Sequence, residues 1–148
     1  MSAEPVGIPL PLSIIDEEHR DIHRAIVNAT NSILLGEPVS VTVQAAEHAL
    51  QVTLLHFEHE EALLRVVRFR RLRSHCKEHL LLTTMLRVGI TELKNKATGS
   101  ALAIFQNYKK QLIEHLQVTD EKYRESVNRY MISNGMAPLP HRIRHSIQ

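Results

Sequence analysis

Apolar positions along the chain fall into four stripes with helical spacing. The first runs Ile15, His19, Ile22, Ile26, Ala29 and Ile33, and its alternating steps of four and three residues place every member on one helix face. Ser13 offers an N-cap, with Asp16, Glu17 and Glu18 in the first turn, where the helix dipole favours acids. Gly36, Glu37 and Pro38 break this helix. A second stripe follows at Ala45, Ala49, Val52, His56, Glu60, Leu63 and Val67, and a turn is expected around Phe69, although no Gly or Pro marks it. The third stripe runs His75, His79, Leu82, Leu86, Ile90, Leu93 and Ala97, with Thr98, Gly99 and Ser100 as its expected break. The fourth runs Ala101, Phe105, Tyr108, Leu112, His115 with Leu116, Thr119 with Asp120, then Tyr123, Val127 and Tyr130. Asn134 and Gly135, followed by Pro138 and Pro140, end it.

No alternating strand pattern and no internal repeat interrupts these stripes. Four amphipathic helices with short connections predict an all-α, antiparallel up-down-up-down four-helix bundle over residues 13–133. Residues 1–12, with Pro5, Pro9 and Pro11, read as an irregular N-terminal arm, and residues 134–148 as a loose basic tail. A chain of 148 residues fits this as a single domain, 1–148.

Composition narrows the possibilities. Hydrophobic residues at 43% and charged residues at 23% argue against disorder. Eighteen basic against sixteen acidic side chains leave a net charge of only +2, which gives no basis for a nucleic-acid binder built on bulk charge. The single cysteine, Cys76, excludes an internal disulfide framework and a cysteine-based zinc site. No apolar run reaches membrane-span length and no signal-peptide pattern opens the chain, so a cytoplasmic protein without membrane contact is expected. Ten histidines, with no Trp and only three Tyr and three Phe, are what needs explaining.

Many of those histidines lie where core residues belong. His19, His56, Glu60, His75, His79, His115 and Asp120 all fall on or beside the buried stripes. A lone histidine or carboxylate is costly to bury unless it is paired or bound. With turns near Glu37, Phe69 and Gly99, the seven groups match in height to within roughly 1.5–5 Å at 1.5 Å per residue, so they can share one layer. His56 with Glu60, and His75 with His79, are i, i+4 pairs stacked on one face. His115 and Asp120 are i, i+5, about 140° apart, a pair that ideal geometry alone would not select. Five imidazoles and two carboxylates suit a divalent transition metal and exceed the needs of one ion. Two ions bridged by Glu60 and Asp120 would use them all. The Glu-x-x-His pairs of ferritin-like di-iron sites are absent.

Four segments carrying these residues resemble the hemerythrin family, most closely its single-domain bacterial members. They are Ile15-Asp16-Glu17-Glu18-His19-Arg20, His56-Phe57-Glu58-His59-Glu60-Glu61, His75-Cys76-Lys77-Glu78-His79 and His115-Leu116-Gln117-Val118-Thr119-Asp120 with Tyr123. No one segment is specific; four in order, spanning residues 15–123, are. The resemblance implies two iron ions with a bridging oxo or hydroxo group. One iron would be held by His75, His79 and His115, the other by His19 and His56 with an open position, and Glu60 and Asp120 would bridge both. It further implies reversible binding of dioxygen at the open iron, as a bound hydroperoxide, with no substrate turned over. By position, Ile22, Phe57, Leu82, Gln111, Leu112 and Leu116 would line the oxygen pocket. Nitric oxide is a further expected ligand, and a redox or oxygenase protein an expected partner; the oligomeric state stays open.

The chain departs from the family pattern at several places. A Pro-rich arm replaces the usual Trp-containing one, Gln111 stands where Trp is common, Leu82 replaces Phe, Leu64 replaces Met, and Phe69-Arg70 replaces Tyr-Pro. None removes a ligand. Gln111 is expected to bring a polar group or water near the open iron and so to hasten autoxidation. Other functions fit the same centre: an enzyme reducing peroxide or oxidising a small molecule, a redox or nitric oxide sensor, or a structural bundle that takes zinc adventitiously.

The remaining polar residues receive simpler readings. His23, His48, His59, His141 and His145 are expected on the surface or at the flank of the site, and Glu58, Glu61 and Glu78 in solvent. Cys76 is expected to point away from the site as an unreactive thiol. Arg65, Arg68, Arg70, Arg71 and Arg73 read as a solvated bundle end, favoured by the helix dipole, ahead of a docking patch for an acidic partner.

Overall fold

A computed structural model describes residues 12–135 of the chain, the side chains of residues 12 and 119–121 excepted. The expected arm, most of the tail and the side chain of Asp120 therefore lie outside the described residues. Four helices account for the fold: α1 (Leu12–Leu34), α2 (Val39–Val66), α3 (Leu72–Lys94) and α4 (Thr98–Ser133). Each packs against its sequence neighbours, and α1 closes the ring against α4, giving the expected four-helix bundle. No helix among the described residues is long and apolar enough to cross a membrane.

Three turns are built the same way. In each, the chain leaves the helix through a left-handed residue, and two backbone N–H groups reach back into the last turn. Gly36 (φ 69°) donates to Ile33 O and Glu37 to Ser32 O. Arg68 (φ 53°) donates to Arg65 O and Phe69 to Leu64 O. Lys96 (φ 60°) donates to Leu93 O and Ala97 to Glu92 O. This is the Schellman closure, which satisfies carbonyls that a helix end otherwise leaves bare. Glycine adopts the left-handed conformation freely; arginine and lysine do so at a cost of roughly 1–2 kcal/mol.

That chemistry moves one boundary. The break between α3 and α4 is not Thr98-Gly99-Ser100 but the Lys96 turn, and those three residues form the first turn of α4. The start of α1 also shifts. The helix already includes Leu12, so Ser13 lies inside it rather than capping it, and Asp16 to Glu18 fall one turn further in. Asp16 accepts from Arg124 Nη2 at 2.8 and 2.6 Å, which ties α1 to α4.

The core is two apolar clusters with a polar layer between them. The larger includes Ile22, Ile26, Phe57, Leu82, Leu86, Phe105, Tyr108, Leu112 and Leu116. The smaller holds Ile15, Leu63, Leu64, Val67, Phe69, Tyr123 and Val127 at the end bearing the α2–α3 turn. Inside the larger, Thr53 and Tyr108 hydroxyls pair at 2.8 Å, so neither buried oxygen is wasted. On α1 and α3 the buried histidines fall between residues of the two clusters, and on α2 and α4 they adjoin Phe57 and Leu116 of the larger one.

Gly89 permits the close approach of α3 and α4. A Cβ there would stand 2.4 Å from Cε1 of Phe105, a fully buried ring with no room to retreat. Overpacking of this kind costs about 1–3 kcal/mol, against a gain of about 1 kcal/mol in helix propensity. Gly89→Ala is expected to lower the thermal midpoint, whereas Gly99→Ala, which meets nothing within 4 Å, is expected to leave it unchanged or raise it. Paired thermal melts followed by circular dichroism check this.

Candidate metal centre

The polar layer is organised around one carboxylate. Glu60, on α2, is 1% exposed, and its two oxygens face different sets of imidazoles. Oε2 lies 2.9 Å from His56 Nε2 and 3.5 Å from His19 Nε2. Oε1 hydrogen-bonds with His75 Nε2, lies 3.2 Å from His79 Nε2 and 3.9 Å from His115 Nε2. All five rings are buried. They come from all four helices, and the i, i+4 spacings in α2 and α3 are what stack two groups of each helix toward the same point.

Two groups of side chains in this layer can hold a metal ion. Glu60, His75, His79 and His115 form one, and His19, His56 and Glu60 the other, each with its ligand atoms within 4.8 Å of one another. Glu60 belongs to both, so two ions held here would share it. His56 Nε2 and Glu60 Oε2 are buried and 2.9 Å apart, yet neither makes a hydrogen bond among the described residues. Both atoms can serve as donors to one ion. Nitrogen-rich donors with a shared carboxylate fit a divalent transition metal rather than calcium or magnesium, which prefer all-oxygen sites.

The outer nitrogens of three of the five rings, His56, His79 and His115, meet carboxylates that were expected in solvent or passed over. Glu18 Oε1 lies 3.3 Å from His56 Nδ1, and its Oε2 lies 2.6 Å from His59 Nδ1. Glu61 Oε2 accepts from His79 Nδ1 at 2.9 Å, and Glu78 Oε2 from His115 Nδ1 at 2.5 Å. An Nδ1–H pointed outward leaves the Nε2 lone pair pointed inward, the tautomer a metal requires. Glu61 is thus corrected from a solvated acid to a half-buried orienting group; Glu58 and Glu78 are exposed as expected, and Glu78 also holds His115. A signal was present. Glu18 precedes His19, Glu61 follows Glu60 and Glu78 precedes His79, so each orienting acid adjoins a site residue of its own helix but serves a histidine of the next.

The other expected site residues sort as follows. Ile22, Phe57, Leu82, Leu112 and Leu116 are buried together in the larger cluster, and the Phe57 ring stacks on His79 with centroids 3.7 Å apart. Gln111 shares a groove with one of them, Leu82. It is half-buried on an outer groove with Glu78, Asn107 and His115, and its amide donates to Asn107 at 3.4 Å. Asp120 lies outside the described side chains. His23 is half-buried and belongs to neither ligand group. Cys76 donates its thiol to Glu61 at 3.0 Å, and burial together with the Glu61 charge pushes it up to about 11, so it is protonated and unreactive.

Glu60 and several of its neighbouring imidazoles shift one another's protonation. Burial alone would lower His56, but its contacts with Glu18 and Glu60 prevail and raise it from 6.5 to about 9. The same competition, with Glu60 and Glu78 as partners, raises His115. Burial lowers His79 despite Glu60. Burial would raise Glu60, but His115, His19, His56 and His75 hold it well below the usual carboxylate range.

Compared with known proteins, the chain matches no family model, no curated protein and no solved structure. The reading of the centre rests on its geometry and on the four sequence segments.

Two outcomes follow for the isolated protein. Because the folded value of His56 is raised, its stabilisation is complete below about 6.5 and disappears as pH rises through about 9. The urea midpoint of metal-free protein is therefore expected to fall between pH 7 and 10, and the fall to be shallower in His56→Gln. Secondly, Glu61→Ala is expected to weaken metal binding about 10–100-fold, since His79 loses its outer partner. Competition with a chromophoric chelator, alongside an unchanged circular dichroism spectrum, measures it.

Proposed function

We propose that this chain is a hemerythrin-like protein that binds dioxygen reversibly at a non-haem di-iron centre. The observation that carries this reading is the wholly buried Glu60, one oxygen facing two imidazoles and the other facing three. That two-and-three division matches the ligand sets expected from the four segments. His19, His56 and Glu60 would hold one iron and His75, His79, His115 and Glu60 the other, with Asp120 as second bridge by the resemblance alone.

Two ferrous ions there would supply the two electrons that dioxygen takes up on binding and returns on release. The chain's own contribution is different. Glu18, Glu61 and Glu78 fix the ring orientations so that no large rearrangement accompanies a change of ligand. Ile22, Phe57, Leu82, Leu112 and Leu116 keep bulk water and its protons away from the centre. Two titratable groups beside the layer are engaged: the Cys76 thiol with Glu61 and His59 with Glu18.

Protein loaded with ferrous iron under argon is expected to hold about two ions per chain, to colour in air and to bleach under vacuum over repeated cycles. Glu60→Ala is expected to abolish the colour. Loading with iron that yields no colour, or a colour that vacuum never reverses, overturns the proposal. Steady consumption of peroxide with a reductant would replace it with the enzyme reading.

A further inference from the structure

A trough of about 1030 Å³ lies at the end of the bundle that carries the α2–α3 turn. One wall is the turn itself, with Arg68, Arg70 and Arg71. The opposite wall is one face of α4, with Lys122, Ser126, Arg129 and Ser133. The sole carboxylate among its described lining residues, Glu125, is already paired with Arg129 at 3.2 Å. The floor is apolar, formed by Val66, Val67, Phe69 and Tyr130. Five cations against one engaged acid mark the trough as an anion site, on a chain whose overall charge is nearly balanced.

The layout of the charges selects the kind of anion. Lys122 and Arg129 are seven residues apart, about 10 Å along the helix, and the wall as a whole runs about 16 Å from Lys122 to Ser133. One phosphate cannot bridge that spread. An extended peptide of about five residues matches it, at about 3.3 Å per residue. The apolar floor offers such a peptide a seat for an aliphatic side chain between its acids. The turn also keeps an arginine at the left-handed position of its closure, where glycine is the unstrained choice, and so adds a cation to the wall.

We propose that this trough docks an extended acidic segment of a partner protein. The arginines are thereby more than a solvated bundle end. The floor ring Phe69 stands edge-on to His75, with centroids 6.1 Å apart, so the docked segment lies one aromatic ring from the polar layer. The binding surface itself contains no ligand of the metal centre and does not depend on which metal the layer holds.

The test uses the full chain and a fluorescein-labelled heptapeptide, six glutamates around a central leucine, followed by fluorescence anisotropy. The peptide is expected to bind, and to weaken as salt rises from 50 to 300 mM, whereas its glutamine counterpart does not bind. The double variant R70E/R71E and the single variant K122E are each expected to weaken binding about tenfold or more. R70Q/R71Q is expected to fall between them and the parent, and keeps the test readable if a reversal disturbs the fold. K94E/K96E, the same change of charge at the opposite end of the bundle, is expected to leave binding unchanged. Absence of peptide binding, equal loss in K94E/K96E, or binding of inorganic tripolyphosphate in place of the peptide overturns the proposal.

Discussion

A carboxylate removed from water in the middle of a helical bundle must be compensated, and the rest of this molecule is arranged around that requirement. Glu60 is 1% exposed, and an unpaired ion at such a position costs several kcal/mol even after relaxation. Compensation comes from five imidazoles delivered by all four helices. No single helix can supply them, so the layer forms only when the whole bundle has closed. The two apolar clusters on either side then provide the burial that holds it closed. Hydrophobic packing and polar pairing are therefore mutually dependent here.

The outer carboxylates extend that dependence around the ring. An acid of α1 holds a histidine of α2, an acid of α2 holds one of α3, and an acid of α3 holds one of α4. Each is partly exposed, while its partner ring is buried. This is how buried donors are kept in a single tautomer without burying further charge. It also makes helix rotation a matter of site geometry: a small twist of any helix would disengage either an inner nitrogen or an outer one.

Turn chemistry explains which boundaries were readable. The first and last helix ends carry Gly36 and Gly135 in left-handed conformations, and both were evident from the chain. The second was located only by the gap between stripes, because Arg68 occupies the glycine position. At the third, Lys96 does the same, and Gly99 nearby drew the boundary toward itself although it sits inside α4. Closure of the helix end by backbone hydrogen bonds outweighs the small strain of a non-glycine residue, and composition alone does not register that balance.

The linear chain determined the class of fold and the inner members of the site, because both depend on periodicity: a spacing of three and four residues sets which side chains share a face, whatever lies opposite. His19, His56, Glu60, His75, His79 and His115 were legible for that reason. Only the assembled bundle decided which imidazole meets which oxygen of Glu60, that Glu18, Glu61 and Glu78 turn toward histidines of the next helix, and that Gln111 shares a groove with Glu78, Leu82 and His115. Those facts depend on the relative rotation of neighbouring helices. Rotation is set by the sum of all core contacts, and no local pattern contains it.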